Sequence, residues 1–175
     1  GSCYGYALEL NANQDMILGG TRSYLGSNDF RVLTISSGGV IANSSSNYYI
    51  STDVDIAYAM AIDMDGKYIL SGSAGTNNAK SFGTLRALTP GDLQADYSFS
   101  ADGRVMTTFN GNTLNECWDV VVGEYRLVVS GNGHGVGADS IWFSMGAYDC
   151  NSCSPSVHFS RQWNIEWWLG WSNAM

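Results

Sequence analysis

The chain has 175 residues, enough for one domain with a hydrophobic core, and its 45% hydrophobic content excludes a disordered polymer. A net charge of −8 with scattered basic residues disfavours nucleic-acid binding, and the absence of any run of roughly 18 apolar residues predicts no membrane-spanning helix. Only 14% of the residues are charged, and polarity comes mainly from Ser, Asn, Thr and Gly, which is typical of secreted or cell-surface proteins.

The first predicted elements belong to a segment that occurs three times without a gap, at residues 7–20, 59–72 and 118–131. Each copy contains an apolar strand, a tight turn and a second strand that ends in glycine. Glycine at the end of a strand allows another backbone to approach closely. A recurrence every 50 to 60 residues predicts an array of small, similar β units.

Further strands follow each copy. Third strands are predicted at 29–35, 81–88 and 139–145, and a fourth strand is typified by 104–109, whereas the glycine-rich residues 131–137 are predicted to form an inter-strand loop. Four antiparallel strands per unit predict an all-β propeller, with a β-sandwich as the alternative fold. The single domain 1–175 would contain blades at approximately 4–56, 57–115 and 116–163 and a Trp-rich terminal strand at 164–175.

Two stretches of the middle unit carry a family resemblance. Asp65-Gly66-Lys67 is followed by an apolar strand that ends at Gly72, and residues 96–111 contain an Asp-Tyr-Ser-Phe-Ser segment. Both stretches resemble the delta-60 repeat of β-propellers, although the first unit has Gln14-Asp15 and the third Tyr125-Arg126 in place of Gly-Lys. The resemblance implies a propeller of a surface or secreted protein whose signature positions are turn and packing residues, and it implies no catalytic residues.

Three units and one extra strand do not complete a propeller, which usually has four to eight blades. Open sheet edges favour unwanted pairing and have to be covered. The sequence therefore predicts that further blades of a longer chain, or other copies of the protein, complete the ring.

Four cysteines, Cys3, Cys117, Cys150 and Cys153, are compatible with disulfides or free thiols. Cys150 and Cys153 are predicted to form a turn-closing disulfide, or two separate disulfides with the other pair, because a zinc site would need a second matched ligand pair.

The acidic cluster Asp53, Asp55, Asp63 and Asp65 offers oxygen ligands for calcium. Asp63-Met64-Asp65-Gly66 is also what a β-turn requires, and a structural turn is the favoured interpretation. No cofactor is predicted, with calcium as the alternative.

Aromatic residues provide the predicted ligand platform: Tyr48, Tyr49, Trp163, Trp167, Trp168 and Trp171. Flat rings with a polar group suit carbohydrates and protein interfaces, although packing between blades uses them in the same way. The sequence predicts a non-enzymatic adhesion module that binds carbohydrate or a surface protein. A subunit that assembles through open blade edges is the alternative, and a propeller hydrolase is the second alternative, although no paired carboxylates or nucleophile motif stand out.

Overall fold

The computed structural model describes residues 1–45, 47–76, 79–87, 93–108, 112–124, 126–135, 141–149 and 157–164. The described residues form β-strands and turns without a helix, which confirms the all-β prediction. The strands are β1 (Ser2–Leu10), β2 (Met16–Tyr24), β3 (Ser27–Ile35), β4 (Ile41–Ser44), β5 (Val54–Ile62), β6 (Tyr68–Thr76), β7 (Ala79–Ala87), β8 (Arg104–Thr107), β9 (Asn112–Val122), β10 (Arg126–Gly135), β11 (Ile141–Asp149) and β12 (Val157–Asn164).

All described strands belong to one curled, mixed sheet that forms a half-barrel. Three groups within it are purely antiparallel, and we call them the first group (β1 to β4), the middle group (β5 to β8) and the last group (β9 to β12). Consecutive groups are joined by single parallel bridges, Asn28 with Val54 and Lys80 with Leu114.

The first hairpin turns of the first and middle groups are built in the same way. In the middle group the Asp63 carboxylate accepts hydrogen bonds from the backbone N–H groups of Asp65 and Lys67, and Gly66 has a φ of 77°. In the first group the side-chain oxygen of Asn11 accepts the equivalent bonds, and Gln14 adopts the positive φ. Short polar side chains that bond to the backbone stabilise such turns, so the predicted turn at Asp63 is confirmed.

The groups pack on one another through their side chains. The face of a group that packs on the next group is called its covering face, and the opposite face, which the preceding group covers in the middle and last groups, is called its receiving face. The covering face of the first group contributes Ile17, Phe30 and Val32 to a core with Met60, Leu70 and Leu85 on the receiving face of the middle group. A second core joins Ile69 and Phe82 on the covering face of the middle group to Val120, Leu127 and Val129 on the receiving face of the last group.

The prediction of a glycine-rich inter-strand loop at 131–137 is wrong for its first five residues. Gly131–Gly135, expected in a loop, belongs to strand β10, while residues 136 and 137 lie outside the described part. A Cβ added to Gly131 would lie 1.9 Å from the carbonyl oxygen of Glu116 on the neighbouring strand. The residue is glycine because two strands approach closely there, which composition alone does not distinguish from a flexible loop.

Candidate ligand-binding site: an aromatic strip across three bulges

The first strand of each group contains a β-bulge at the same place. The pairing with the second strand skips one residue between Gly5 and Ala7 and one between Ala57 and Ala59, and the last group skips one between Cys117 and Asp119. The skipped residues are Tyr6, Tyr58 and Trp118. A bulge bends the strand and re-aims the side chain of the extra residue, so the three groups present an aromatic ring at an equivalent position.

A glycine lies opposite each bulge and makes it sterically feasible. These are Gly20, Gly72 and Gly131, which were predicted to end their strands. That prediction is wrong, since β2, β6 and β10 each continue for four residues beyond the glycine. A Cβ added to these glycines would lie 2.0, 1.8 and 1.9 Å from the carbonyl oxygens of Tyr4, Ile56 and Glu116, respectively. No side chain fits at such distances, and the predicted close backbone approach is confirmed.

The bulged residues form a continuous aromatic strip because β5 packs beside both β1 and β9. The rings of Tyr6 and Tyr58 meet edge to face with centroids 5.6 Å apart, and the rings of Tyr58 and Trp118 are tilted with centroids 4.4 Å apart. Tyr4 extends the strip by stacking on Tyr6 at 6.5 Å. About half of the surface of Tyr4, Tyr6 and Trp118 is exposed, and Tyr58 is half-buried between its neighbours.

Polar groups flank the strip. The indole N–H of Trp118 donates to the side-chain oxygen of Asn132. Lys80 and Glu116 form an ion pair of 2.9 Å. Burial, and then the negative charge of Glu116, raise the pKa of Tyr58 above its ordinary value, so its hydroxyl keeps its proton at neutral pH. The strip therefore combines apolar ring surface with hydrogen-bonding groups.

The structure separates the residues of the predicted ligand platform. Tyr48 is only 4% exposed and its hydroxyl donates to the carbonyl oxygen of Leu93, so its ring belongs to the first core and does not face a ligand. Tyr49 is exposed, and its carbonyl oxygen accepts a hydrogen bond from Arg104. Trp163 lies on β12 at the register position paired with Phe143. Trp167, Trp168 and Trp171 lie outside the described residues.

The four clustered aspartates serve separate local structures. Asp63 holds its turn, and Asp65 follows it in that turn. Asp55 is fully buried and accepts hydrogen bonds from the backbone N–H groups of Ile50 and Ser51. Asp53 borders a shallow surface depression beside the turn that connects β2 and β3. In the described part of the chain, no group of three or more His, Cys, Asp or Glu side chains is placed to hold a metal ion.

The two described cysteines lie in different environments. Cys3 is exposed and Cys117 is buried, and both are free thiols. The Cys117 thiol accepts a hydrogen bond from the Ser71 hydroxyl at 3.0 Å and donates to the carbonyl oxygen of Asp119 at 3.2 Å. Cys150 and Cys153, predicted as a disulfide, lie outside the described residues.

The sequence did not predict the aromatic strip because the first hairpin turn of the last group is one residue shorter than those of the other two groups. The turns between the first two strands span residues 11–15 and 63–67 in the first and middle groups but only 123–126 in the last. The ungapped repeat alignment consequently places Cys117, not Trp118, at the position of Tyr6 and Tyr58. A gap of one residue in the last hairpin aligns the three aromatic residues.

Comparison with known proteins identifies no relative of this chain. The sequence matches no known family, and no curated protein is significantly similar to it. Within the described residues, the chain forms no helix of the length and apolar character that a membrane crossing requires.

Proposed function

We propose that the protein is a non-enzymatic binding module of a secreted or cell-surface protein, and that it recognises carbohydrate through the aromatic strip. The observation that carries this proposal is the placement of Tyr6, Tyr58 and Trp118 at equivalent bulges, where they form one partly exposed strip. Aromatic residues with an apolar face and a polar group suit ligands that are apolar on one side and polar at their edges.

The scaffold of this module is proposed to be a propeller of the delta-60 type, with the three groups as blades. The repeated bulge, its glycine and the covering-on-receiving packing support this proposal. A contact between the two stretches that carry the resemblance supports it further. The Lys67 ammonium lies 2.6 Å from the Asp96 carboxylate. The same carboxylate accepts hydrogen bonds from the hydroxyl and the backbone N–H of Ser98. The two signature stretches thus stabilise each other.

A chain of neutral sugars is the carbohydrate that the strip fits best. The C–H face of a pyranose ring packs on an aromatic ring, and the hydroxyl groups at its edge can bond with Asn132 and with the hydroxyl of Tyr58. The net charge of the protein is −8, so an acidic polysaccharide would be repelled at long range. Several rings in series favour a polymer over a single sugar, because each added unit contacts another ring.

A binding experiment with a matched control tests this function. The protein is titrated with a panel of neutral oligosaccharides and polysaccharides, and Trp118→Ala is expected to weaken binding about tenfold or more, as loss of a large aromatic contact does. Tyr97→Ala is the control, since Tyr97 is 66% exposed and is not part of the strip. Its affinity should equal that of the wild type.

Unfolding midpoints establish that both variants are folded. The proposal is wrong if no glycan of the panel binds. It is also wrong if Trp118→Ala binds as tightly as the wild type and the Tyr97→Ala control do.

A further inference from the structure

No described segment lies over the receiving face of the first group, although the same face is buried in the other two groups. At equivalent positions Met60 is 6% and Val120 is 5% exposed, whereas Leu8 is 59% exposed. Leu70 and Val129 are fully buried, whereas Leu18 is half-buried. Leucine therefore occupies exposed or partly exposed positions in the first group where the other two groups have buried apolar residues.

The receiving face of the first group also contains a groove. At the equivalent place on the middle group lies the ring of Phe30. The groove has a volume of about 440 Å³ and is lined by Gly20, Arg31 and Leu33, among others. In the middle group the position of Arg31 is occupied by Gly83. The Phe30 ring of the preceding group lies there, 3.5 Å from a Cβ added to Gly83. The groove is therefore at the position where a covering face inserts its phenylalanine.

The last group carries the matching covering face at the opposite end of the molecule. Val128 is the counterpart of Ile17 and Ile69, which are fully buried, and is itself half-buried. Val121 lies beside it and is 62% exposed. Strand β11 has Phe143 at the register position that Phe30 and Phe82 have in β3 and β7. Within the described residues, one molecule thus has two faces, of the kinds that pack together inside it, on which no other group lies.

Charge favours the same pairing. The receiving face of the first group includes the arginines Arg22 and Arg31, both lining the groove and neither forming a salt bridge with a described carboxylate. The covering face of the last group has the exposed Asp119 where the first and middle groups have alanine. Exposed Arg126 also lies on this covering face, two residues before Val128 on β10, so Asp119 alone favours the pairing by charge. An ion pair between Asp119 and one of the two arginines of the receiving face would fix the orientation of the contact.

We propose that the receiving face of the first group binds the last group of a second copy of this chain, head to tail. Such a contact is heterologous, so it closes into a ring or continues as an open chain. The face of β1 to β3 measures about 14 Å by 30 Å, so the contact would bury about 800 Å² of both partners together, which is below the range of stable interfaces and within that of weak, transient ones. The association is therefore weak and depends on protein concentration. The proposal rests on packing and not on the proposed carbohydrate ligand.

Sedimentation of purified protein over a range of about 1 to 300 μM tests the contact. The wild type is expected to gain mass with concentration. Leu8→Glu disables the receiving face and Val121→Glu the covering face, and each variant alone should remain monomeric. Both residues are well exposed within one molecule, so both variants should fold, which circular dichroism verifies. Met64→Glu adds the same charge at a turn residue that is 76% exposed and should associate like the wild type.

An equimolar mixture of Leu8→Glu and Val121→Glu provides the decisive measurement. Each variant retains the face that the other has lost, so the mixture should form a dimer and nothing larger. A wild type that is monomeric throughout would overturn the proposal, as would normal association of Leu8→Glu. Association of Val121→Glu alone would also overturn it, since the receiving faces would then pair with each other.

Discussion

Leu18 and Leu70 occupy the same position of the same strand in two groups, yet Leu70 is fully buried and Leu18 is half-buried. The middle group is covered on both faces, whereas the first group is covered on one. The difference shows that local sequence determines which residues face a junction, and that the neighbouring group determines whether the junction exists. Residues that act within one group should therefore behave alike in both groups, and residues that act between groups should not.

The largest expected effect follows from that distinction. Leu70→Ala should lower the free energy of unfolding by about 3 to 4 kcal/mol, because it leaves a cavity in a closed core. Leu18→Ala should cost less, about 1 to 2 kcal/mol in dilute solution, because Leu18 is only partly buried and its truncation leaves no closed cavity. Urea denaturation at low protein concentration measures both. Equal losses would mean that the first receiving face is covered in solution even at that concentration.

The bulge glycines act within a group and should give equal effects. Gly20→Ala and Gly72→Ala each place a Cβ within 2.0 Å of a carbonyl oxygen, and each should destabilise the protein by about 3 kcal/mol through strain. Gly38→Ala is the control, since the only neighbour within 4 Å of its added Cβ is the Ser36 hydroxyl at 3.8 Å. The interpretation fails if Gly20→Ala is tolerated while Gly72→Ala is not.

Two buried aspartates should give the groups opposite responses to pH. Burial raises the pKa of Asp96, but the hydrogen bonds from Lys67 and Ser98 outweigh it, so its pKa lies below the ordinary 3.8. Asp96 thus stabilises the fold above pH 3.8, and this contribution is lost as the pH falls through the lower, folded-state pKa. Asp96→Asn should cost about 1 to 2 kcal/mol at neutral pH and much less in acid.

Asp29 in the first group has the opposite shift. Burial, with the charge of Asp55, raises its pKa despite the hydrogen bonds from Ser27 and Asn47. Its ionisation therefore opposes folding at neutral pH, and this cost disappears as the pH falls through the raised pKa toward 3.8. Urea midpoints of Asp29→Asn and Asp96→Asn across this range should diverge in opposite directions from the wild type. Parallel curves would contradict the assignment.

The smallest expected effect is a difference in the reactivity of two cysteine thiols toward alkylation. Cys3 and Cys117 both lie on receiving faces, but that of Cys3 is open and that of Cys117 is covered. Burial raises the pKa of the Cys117 thiol to about 11, so little reactive thiolate is present at neutral pH. Mass spectrometry after brief alkylation should find Cys3 labelled and Cys117 unlabelled until urea is added. Rapid labelling of native Cys117 would show that the second core opens readily.

Much of the fold could be predicted from the sequence because its signals are local. The turn at Asp63 and Gly66 follows from side-chain and backbone preferences, and glycines at equivalent positions of the three repeats indicated close backbone approach, although they lie inside the strands and not at their ends. The aromatic strip could not be predicted in this way, since it depends on a hairpin that is one residue shorter in the last group. The burial of Tyr48 was also hidden, because an isolated bridge with Phe30 in another strand brings it into the core.

The single parallel bridges between groups have a consequence for cooperativity. Nearly all backbone hydrogen bonds lie inside a group, and neighbouring groups are held together mainly by side-chain packing. Stability should then depend on interactions within each group and on the packing between neighbouring groups. The middle group, with two neighbours, should open last, while an end group gains a second neighbour only when another surface covers its free face. Binding at that face would therefore lock the terminal strands and raise the barrier to unfolding of the whole array.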